Sequence, residues 1–77
     1  MNKARRQKLQ NIIDTLEEQR MQMNYVQYDE QEAYDNLPEN IQDSDRGSDM
    51  NDNINDLESA VSDLEEIISN LQNIVDR

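Results

Sequence analysis

The second half of the chain repeats apolar residues with a period of seven. In a heptad labelled a to g, positions a, d and e are apolar over nearly four repeats, with Asn53 the single polar exception. These apolar residues are Met50, Leu57, Leu64 and Leu71 at a, Ala60, Ile67 and Ile74 at d, and Ile54, Val61, Ile68 and Val75 at e. Because such positions form one stripe on an α-helix, the pattern predicts a long amphipathic helix.

The first half follows the same scheme less strictly. Its apolar positions are Leu9, Leu16, Met23 and Leu37 at a, Ile12, Val26 and Ala33 at d, and Ile13 and Tyr34 at e. Polar residues interrupt the stripe at Gln19, Arg20, Gln27 and Glu30. We therefore predict helix one over about residues 3–36.

The only proline and the only glycine lie between the two patterns. Pro38 lacks a backbone N–H and disfavours helical geometry at Leu37, so helix one should end there. The connector is predicted at 37–43, with a short helical turn in PENIQ, and helix two at about 44–76.

Helix two has two candidate starting residues. Ser44 is the favoured N-cap, which places Gly47 inside the first helical turn, and Ser48 is the alternative, with Gly47 in the loop. In either case the prediction is a single all-α domain, 1–77, folded as an antiparallel helical hairpin of two arms of similar length.

The apolar stripe is wider than one partner helix requires. A strict two-stranded seam uses only a and d, so a lone hairpin is expected to leave the e positions in water. A chain of 77 residues without cysteine also has a small core and no disulfide. We therefore expect self-association, as a homodimer that forms a four-helix bundle or as a higher oligomer. The self-association candidates are Ile54, Val61, Leu64, Ile68, Leu71 and Val75.

The charge is unevenly distributed. Acidic residues number 18 against 7 basic ones, a net charge of −11, and four of the basic residues lie in the first eight positions. An antiparallel hairpin places that basic segment beside the C-terminal turn of helix two, where the helix dipole is negative. Arg20, on the core stripe, is expected to reach Glu65 or Glu66. The acidic remainder should repel nucleic acids and anionic membrane surfaces.

Residues that carry most enzyme chemistry are missing. The chain has no histidine and no cysteine, and its one glycine cannot form a phosphate-binding loop. The segment DSDRGSDMNDN resembles a calcium loop, but Gly47 falls at loop position 5 and Ile54 at position 12, where a glutamate is required. We predict a non-enzymatic protein without catalytic, cofactor or metal sites.

No membrane-spanning or secretory segment is predicted either. The chain contains no apolar run long enough to cross a bilayer, and its N-terminal segment lacks the uninterrupted apolar stretch of a secretory signal. We therefore expect a cytoplasmic protein.

Two surface features are candidates for binding a partner. Met21, Tyr25 and Tyr28 form a second apolar stripe outside the core positions of helix one, either as a partner anchor or as ordinary surface scatter. Acidic residues line helix two at Asp49, Asp52, Asp56, Asp63 and Glu66. They either keep the helix soluble or imitate a row of phosphates that occupies a nucleic-acid-binding cleft.

The segments NKARRQKL and QEAYDNLPENIQDSDRG, followed by an acidic Leu/Ile-rich helix, resemble short acidic proteins encoded by phages and prophages of Gram-positive bacteria. The specific portion is the connector, Gln31 to Gly47. The resemblance implies a phage context, the cytoplasm of the host cell, and binding to a host protein such as a defence nuclease or transcription factor.

Two functions are therefore in view. One is a binding protein that modulates a host or phage protein, including as a nucleic-acid mimic that inhibits a defence or DNA-handling protein. The other is a structural hairpin that docks on a larger phage complex.

Overall fold

A computed structural model describes the whole chain, Met1–Arg77, and contains three helices. Helix α1 spans Lys3–Asp35, the short α2 spans Glu39–Gln42, and α3 spans Asp45–Val75. Helices α1 and α3 pack against each other and α2 packs against α3, in a rod of 58 × 15 × 12 Å. The predicted all-α helical hairpin is confirmed.

Local chemistry explains where α1 begins and ends. The Asn2 side chain caps α1 by accepting a hydrogen bond of 2.8 Å from the backbone N–H of Arg5. Helix α1 stops at Asp35, three residues before the proline. Pro38 then opens α2, and its carbonyl accepts the backbone N–H groups of Ile41 and Gln42 at 2.8 and 3.0 Å.

Helix α3 begins at the favoured position, but its first residues work differently from the prediction. Ser44 is the N-cap residue, yet its side chain makes no cap hydrogen bond, because the hydroxyl donates to the carbonyl of Ile41. Gly47 is buried in the first turn. A Cβ at this position would lie 2.0 Å from the carbonyl oxygen of Gln42, so only glycine permits this approach of α2 to α3.

The seam between α1 and α3 is centred on positions e and a. Four apolar side chains are buried, and all of them occupy e: Ile13 on α1, and Ile54, Val61 and Ile68 on α3. Most residues at position a are half-buried beside them. The prediction that a lone hairpin leaves the e positions in water is therefore wrong.

The physical reason is that a stripe of a, d and e contains two seams of the same spacing. Position e lies three residues before the next position a, and position a lies three residues before position d. Either pair of positions therefore suits a two-helix interface. From residue 53 onward the e row of α3 holds only β-branched apolar residues, whereas the d row contains Asn53 and Ala60. Burying e and a therefore removes more apolar surface from water.

The six self-association candidates consequently lie inside one hairpin. Ile54, Val61 and Ile68 are buried in the α1–α3 seam, and Leu64, Leu71 and Val75 are half-buried along it. These side chains form the internal core, and Ile54, Val61 and Ile68 present no free surface to a second copy.

Polar contacts across the seam confirm the antiparallel register. The Arg6 guanidinium donates to the carbonyl of Val75 at 3.3 Å, at the C-terminal end of α3. The side chains of Gln72 and Gln10 are joined by a hydrogen bond of 3.2 Å. Near the other end of the rod, Asn53 donates to Glu30 at 3.1 Å.

Arg20 pairs with one of its two predicted partners. Its guanidinium lies 3.6 Å from the Glu65 carboxylate and 3.2 Å from that of Glu17, one helical turn earlier on α1. Glu66 is not a partner.

Candidate interaction surfaces

All candidate sites in this molecule are surfaces. The structure contains no cavity, and no three acidic side chains are close enough together to hold a metal ion. Every buried side-chain nitrogen and oxygen has a hydrogen-bond partner. None of the helices combines the length and the apolarity that crossing a bilayer requires.

The first surface, the Met/Tyr stripe, consists of Met21, Tyr25 and Tyr28 on the outer side of α1. Their spacing of four and three residues places them in one line along the helix. They are 47%, 58% and 70% exposed. They therefore lie outside the core, as the heptad pattern predicts, and form an apolar and aromatic patch on a rigid helix.

Acidic side chains bound the Met/Tyr stripe at both ends. The same two rows of α1 that hold the stripe continue with Asp14 and Glu18 before it, and with Glu32 and Asp35 after it. All four are exposed. The outer side of α1 is thus an apolar centre between two acidic ends, about 31 Å from Asp14 to Asp35 at 1.5 Å per residue.

The second surface, the acidic ridge, lies on the outer side of α3. Its members lie on two neighbouring rows, and all of them are exposed: Asp49, Asp56 and Asp63 at g, and Asp52 and Glu66 at c. The ridge is about 25 Å long. Arg20 makes the only ion pairs of the chain, with Glu17 and Glu65, so no basic side chain neutralises the ridge.

The structure keeps these two surfaces apart. The Met/Tyr stripe faces away from the seam on α1, and the acidic ridge faces away from the seam on α3. The thickness of the hairpin separates them, so one flat partner surface cannot contact both at once.

A third surface was missed by the sequence reasoning, and we call it the d face. It consists of the d rows of both helices: Ile12, Gln19, Val26 and Ala33 on α1, with Asn53, Ala60, Ile67 and Ile74 on α3. Ile12, Val26 and Ile67 are 51%, 55% and 50% exposed. The overwide stripe does predict an open apolar row, but the row that is open is d and not the expected e.

Both d rows lie on the same side of the hairpin. An antiparallel helix pair has a two-fold axis between the helices, perpendicular to the plane that contains them. This axis exchanges the two helices but keeps each heptad position on the same side of the pair. The Gln10–Gln72 hydrogen bond illustrates this, since both residues occupy position b and meet on one side. The d rows flank the opposite side and form one continuous face.

Charge varies along the rod. The end formed by residues 1–14 and 68–77 carries five basic and two acidic residues, a net charge of +3. The remainder, 15–67, carries two basic and sixteen acidic residues, a net charge of −14. The molecule is therefore an electrostatic dipole along its length as well as an acidic protein.

Comparisons with protein-family models, with curated proteins and with solved structures found no match.

Proposed function

We propose that the protein is a non-enzymatic binding protein that self-associates and recognises another protein, of the host or of a phage, through the Met/Tyr stripe. The observation that carries this proposal is the line of Met21, Tyr25 and Tyr28 on an otherwise polar outer surface. Tyrosine and methionine are enriched at the centres of protein interfaces, where large rigid side chains fill pockets of the partner.

The acidic ends of the stripe define the chemistry of that partner. An apolar centre between two acidic ends complements a surface with an apolar pocket and basic side chains around it. Nucleic-acid-binding proteins present basic surfaces of this kind. A host defence or DNA-handling protein is therefore the partner class that we propose, with modulation or inhibition of that protein as the outcome.

The acidic ridge of α3 is a second element of the same proposal. Its unneutralised carboxylates lengthen the negative surface that a basic protein meets on approach, which raises the rate of encounter. Such a ridge is also sufficient to keep the rod soluble. We therefore assign binding specificity to the Met/Tyr stripe and electrostatic attraction to the ridge.

One observation favours the alternative function, a structural hairpin within a larger phage assembly. The d face leaves an apolar row open along the side of the rod opposite the Gln10–Gln72 contact. Open apolar faces of this kind mark sites of association. A purely structural protein would use this face and have no need of the Met/Tyr stripe.

Affinity capture with two sets of variants tests the proposal. The tagged chain is used to capture proteins from a lysate of a Gram-positive bacterium, and bound proteins are identified by mass spectrometry. Replacing Met21, Tyr25 and Tyr28 together by alanine should abolish capture of the partner while leaving the helical circular dichroism signal unchanged. Exposed positions of this kind usually change stability by less than about 0.5 kcal/mol each.

The matched control replaces Gln22 and Asn24, exposed polar neighbours on α1, by alanine, and should leave capture intact. Reversing Asp49, Asp56 and Asp63 to lysine should weaken capture most at low salt, because screening already removes the ridge's contribution at high salt. Capture that survives the alanine set would contradict the proposal. Capture that depends only on the d face would support the structural alternative.

A further inference from the structure

We infer that a second copy of the hairpin docks on the d face, with the two rods running in opposite directions. This inference rests on the self-association proposed above, and adds to it the face and the orientation. The resulting assembly is a four-helix bundle in which each α1 packs on the α1 of the other copy, and each α3 on the other α3.

The d face contains large apolar side chains that the hairpin alone buries only in part. Three of its side chains, Ile12, Val26 and Ile67, are half exposed although the hairpin is closed. The a and e residues directly behind them already fill the α1–α3 seam. A second apolar layer of the same length would turn the two-helix seam into the centre of a bundle, which covers a stripe as wide as a, d and e.

The size of the face suits a dimer of this chain. The whole rod measures 58 by 15 Å in outline, about 870 Å², so a second rod laid along it has room to bury the ~800 Å² that each partner buries in a standard interface. A hairpin of identical length covers the row from Ile12 to Ala33 completely.

Charge complementarity selects the opposite orientation. When the rods run in opposite directions, the basic end of one copy lies against residues 31–54 of the other. That segment holds seven acidic residues and one arginine. When the rods run in the same direction, like charges are superposed along the whole length, which is unfavourable.

Side-chain size gives the same orientation. The larger residues of the d face, Ile12 and Ile74, lie at its basic end, whereas Ala33 and Asn53 lie at the other. In the opposite orientation the bulky end of each copy rests on the small end of its counterpart. Alternating large and small residues across a contact is how packed layers interdigitate.

Repulsion between acidic residues opposes this arrangement, since each copy carries a net charge of −11 and the acidic middle of one rod lies on that of the other. The two-fold axis passes near the middle of the d face, so Asp63 lies near its counterpart in the second copy. This carboxylate is exposed at the edge of the face, where water screens the repulsion. The attraction between the charged ends and the burial of the apolar row act over a far greater length.

Sedimentation equilibrium of two double variants tests the face. Ile12→Ser with Ile67→Ser should raise the dimer dissociation constant about a hundredfold or more, since four large apolar side chains are removed from the interface. The control, Met21→Ser with Tyr25→Ser, changes two side chains of similar exposure on the outer side of α1 and should leave the dimer unchanged. Both variants should keep the helical circular dichroism signal.

Cross-linking with a short bismaleimide tests the orientation, because the chain has no cysteine of its own. Gln22 lies beside the d face, near the two-fold axis. In the Gln22→Cys variant the cysteines of the two copies should therefore be cross-linked to each other. A mixture of Gln22→Cys and Asp63→Cys proteins should give no heterodimeric product, because that contact exists only when the rods run in the same direction.

The outcomes separate the two proposals. A chain that is monomeric at micromolar concentration overturns self-association and this inference together. A dimer that is insensitive to the Ile12 and Ile67 changes overturns the face alone, and a Gln22–Asp63 product overturns the orientation alone. In none of these cases is the Met/Tyr stripe affected, since its test is capture of a different protein.

Discussion

Helices α1 and α3 have almost the same length, 33 and 31 residues, but contribute differently to the hairpin. Helix α3 buries Ile54, Val61 and Ile68, whereas α1 buries only Ile13. The row of α1 that faces this core continues with Arg20 and with other polar side chains. Most of the fully buried apolar side chains therefore come from one face of α3.

Helix α1 contributes fewer buried apolar side chains than α3, but its polar side chains specify how the two helices align. Arg20 reaches Glu65 on α3, and Glu30 accepts a hydrogen bond from Asn53, so two polar contacts define how the helices align. Polar residues in a helical seam specify register at some cost in stability. The helix with the weaker core pattern also carries the exposed Met/Tyr stripe. The comparison thus divides the hairpin into a helix that supplies most of the buried core and a helix that sets the alignment and carries the exposed Met/Tyr stripe.

The largest predicted effect distinguishes two adjacent residues of α3. Ile68 is 7% exposed at position e, and Ile67 is 50% exposed at d. Ile68→Asp places an unpaired carboxylate in the seam and should cost about 3–5 kcal/mol, as much as the whole stability of so small a core. Circular dichroism should therefore show an unfolded chain at room temperature.

Ile67→Asp is the matched control and should leave the hairpin folded. The melts are compared at the lowest workable protein concentration, where association contributes least to apparent stability. Equal loss of helix in the two variants would mean that the seam is not centred on e and a.

The next effect concerns the start of α3, which is held by a contact that α1 lacks. A Cβ on Gly47 would lie 2.0 Å from the carbonyl oxygen of Gln42 and 2.5 Å from its carbonyl carbon. Alanine is the better helix former by about 1 kcal/mol. The clash is with backbone, however, and overpacking of this kind costs about 1–3 kcal/mol or more. Gly47→Ala should therefore destabilise the hairpin by about 2 kcal/mol in urea unfolding.

Ser48→Ala changes the next, exposed residue and should lie within about 0.5 kcal/mol of the unmodified chain. A Gly47→Ala protein as stable as this control would show that α2 can move away from α3 at little cost.

The features that could be predicted from the sequence are those set by local signals. The two helices and the connector follow from the seven-residue repeat and from Pro38, because both signals are local. The exposure of Met21, Tyr25 and Tyr28 follows from the same repeat. Local pattern is sufficient wherever a residue's position depends on its own helix.

The remaining features depend on contacts between elements. The stripe of a, d and e offers two seams with one spacing, and the choice is made only when α3 meets α1. The sequence pattern places Gly47 in the first turn of α3, but the close approach of α2 that requires a glycine there is contained in no local pattern. The d face became visible for the same reason only after the seam was known.

The smallest predicted effect comes from a substitution that makes the seam row of α1 resemble that of α3. Gln27 occupies position e of α1 and is half-buried in the seam, and the same row of α3 holds only β-branched apolar residues from Ile54 to Val75. Gln27→Leu buries additional apolar surface and should stabilise the hairpin by about 1 kcal/mol. In urea unfolding the midpoint should rise above that of the unmodified chain by the same amount at every protein concentration, since the seam lies within one chain.

Gln19→Leu provides the contrast, because Gln19 is exposed on the d face of the same helix. The same substitution there should add little to the stability of a single hairpin. It should instead raise the midpoint progressively with protein concentration, because leucine would be buried only against a second copy. If both variants gave concentration-independent gains of similar size, the two rows of α1 would be equivalent, and the distinction between an internal seam and an intermolecular face would not hold.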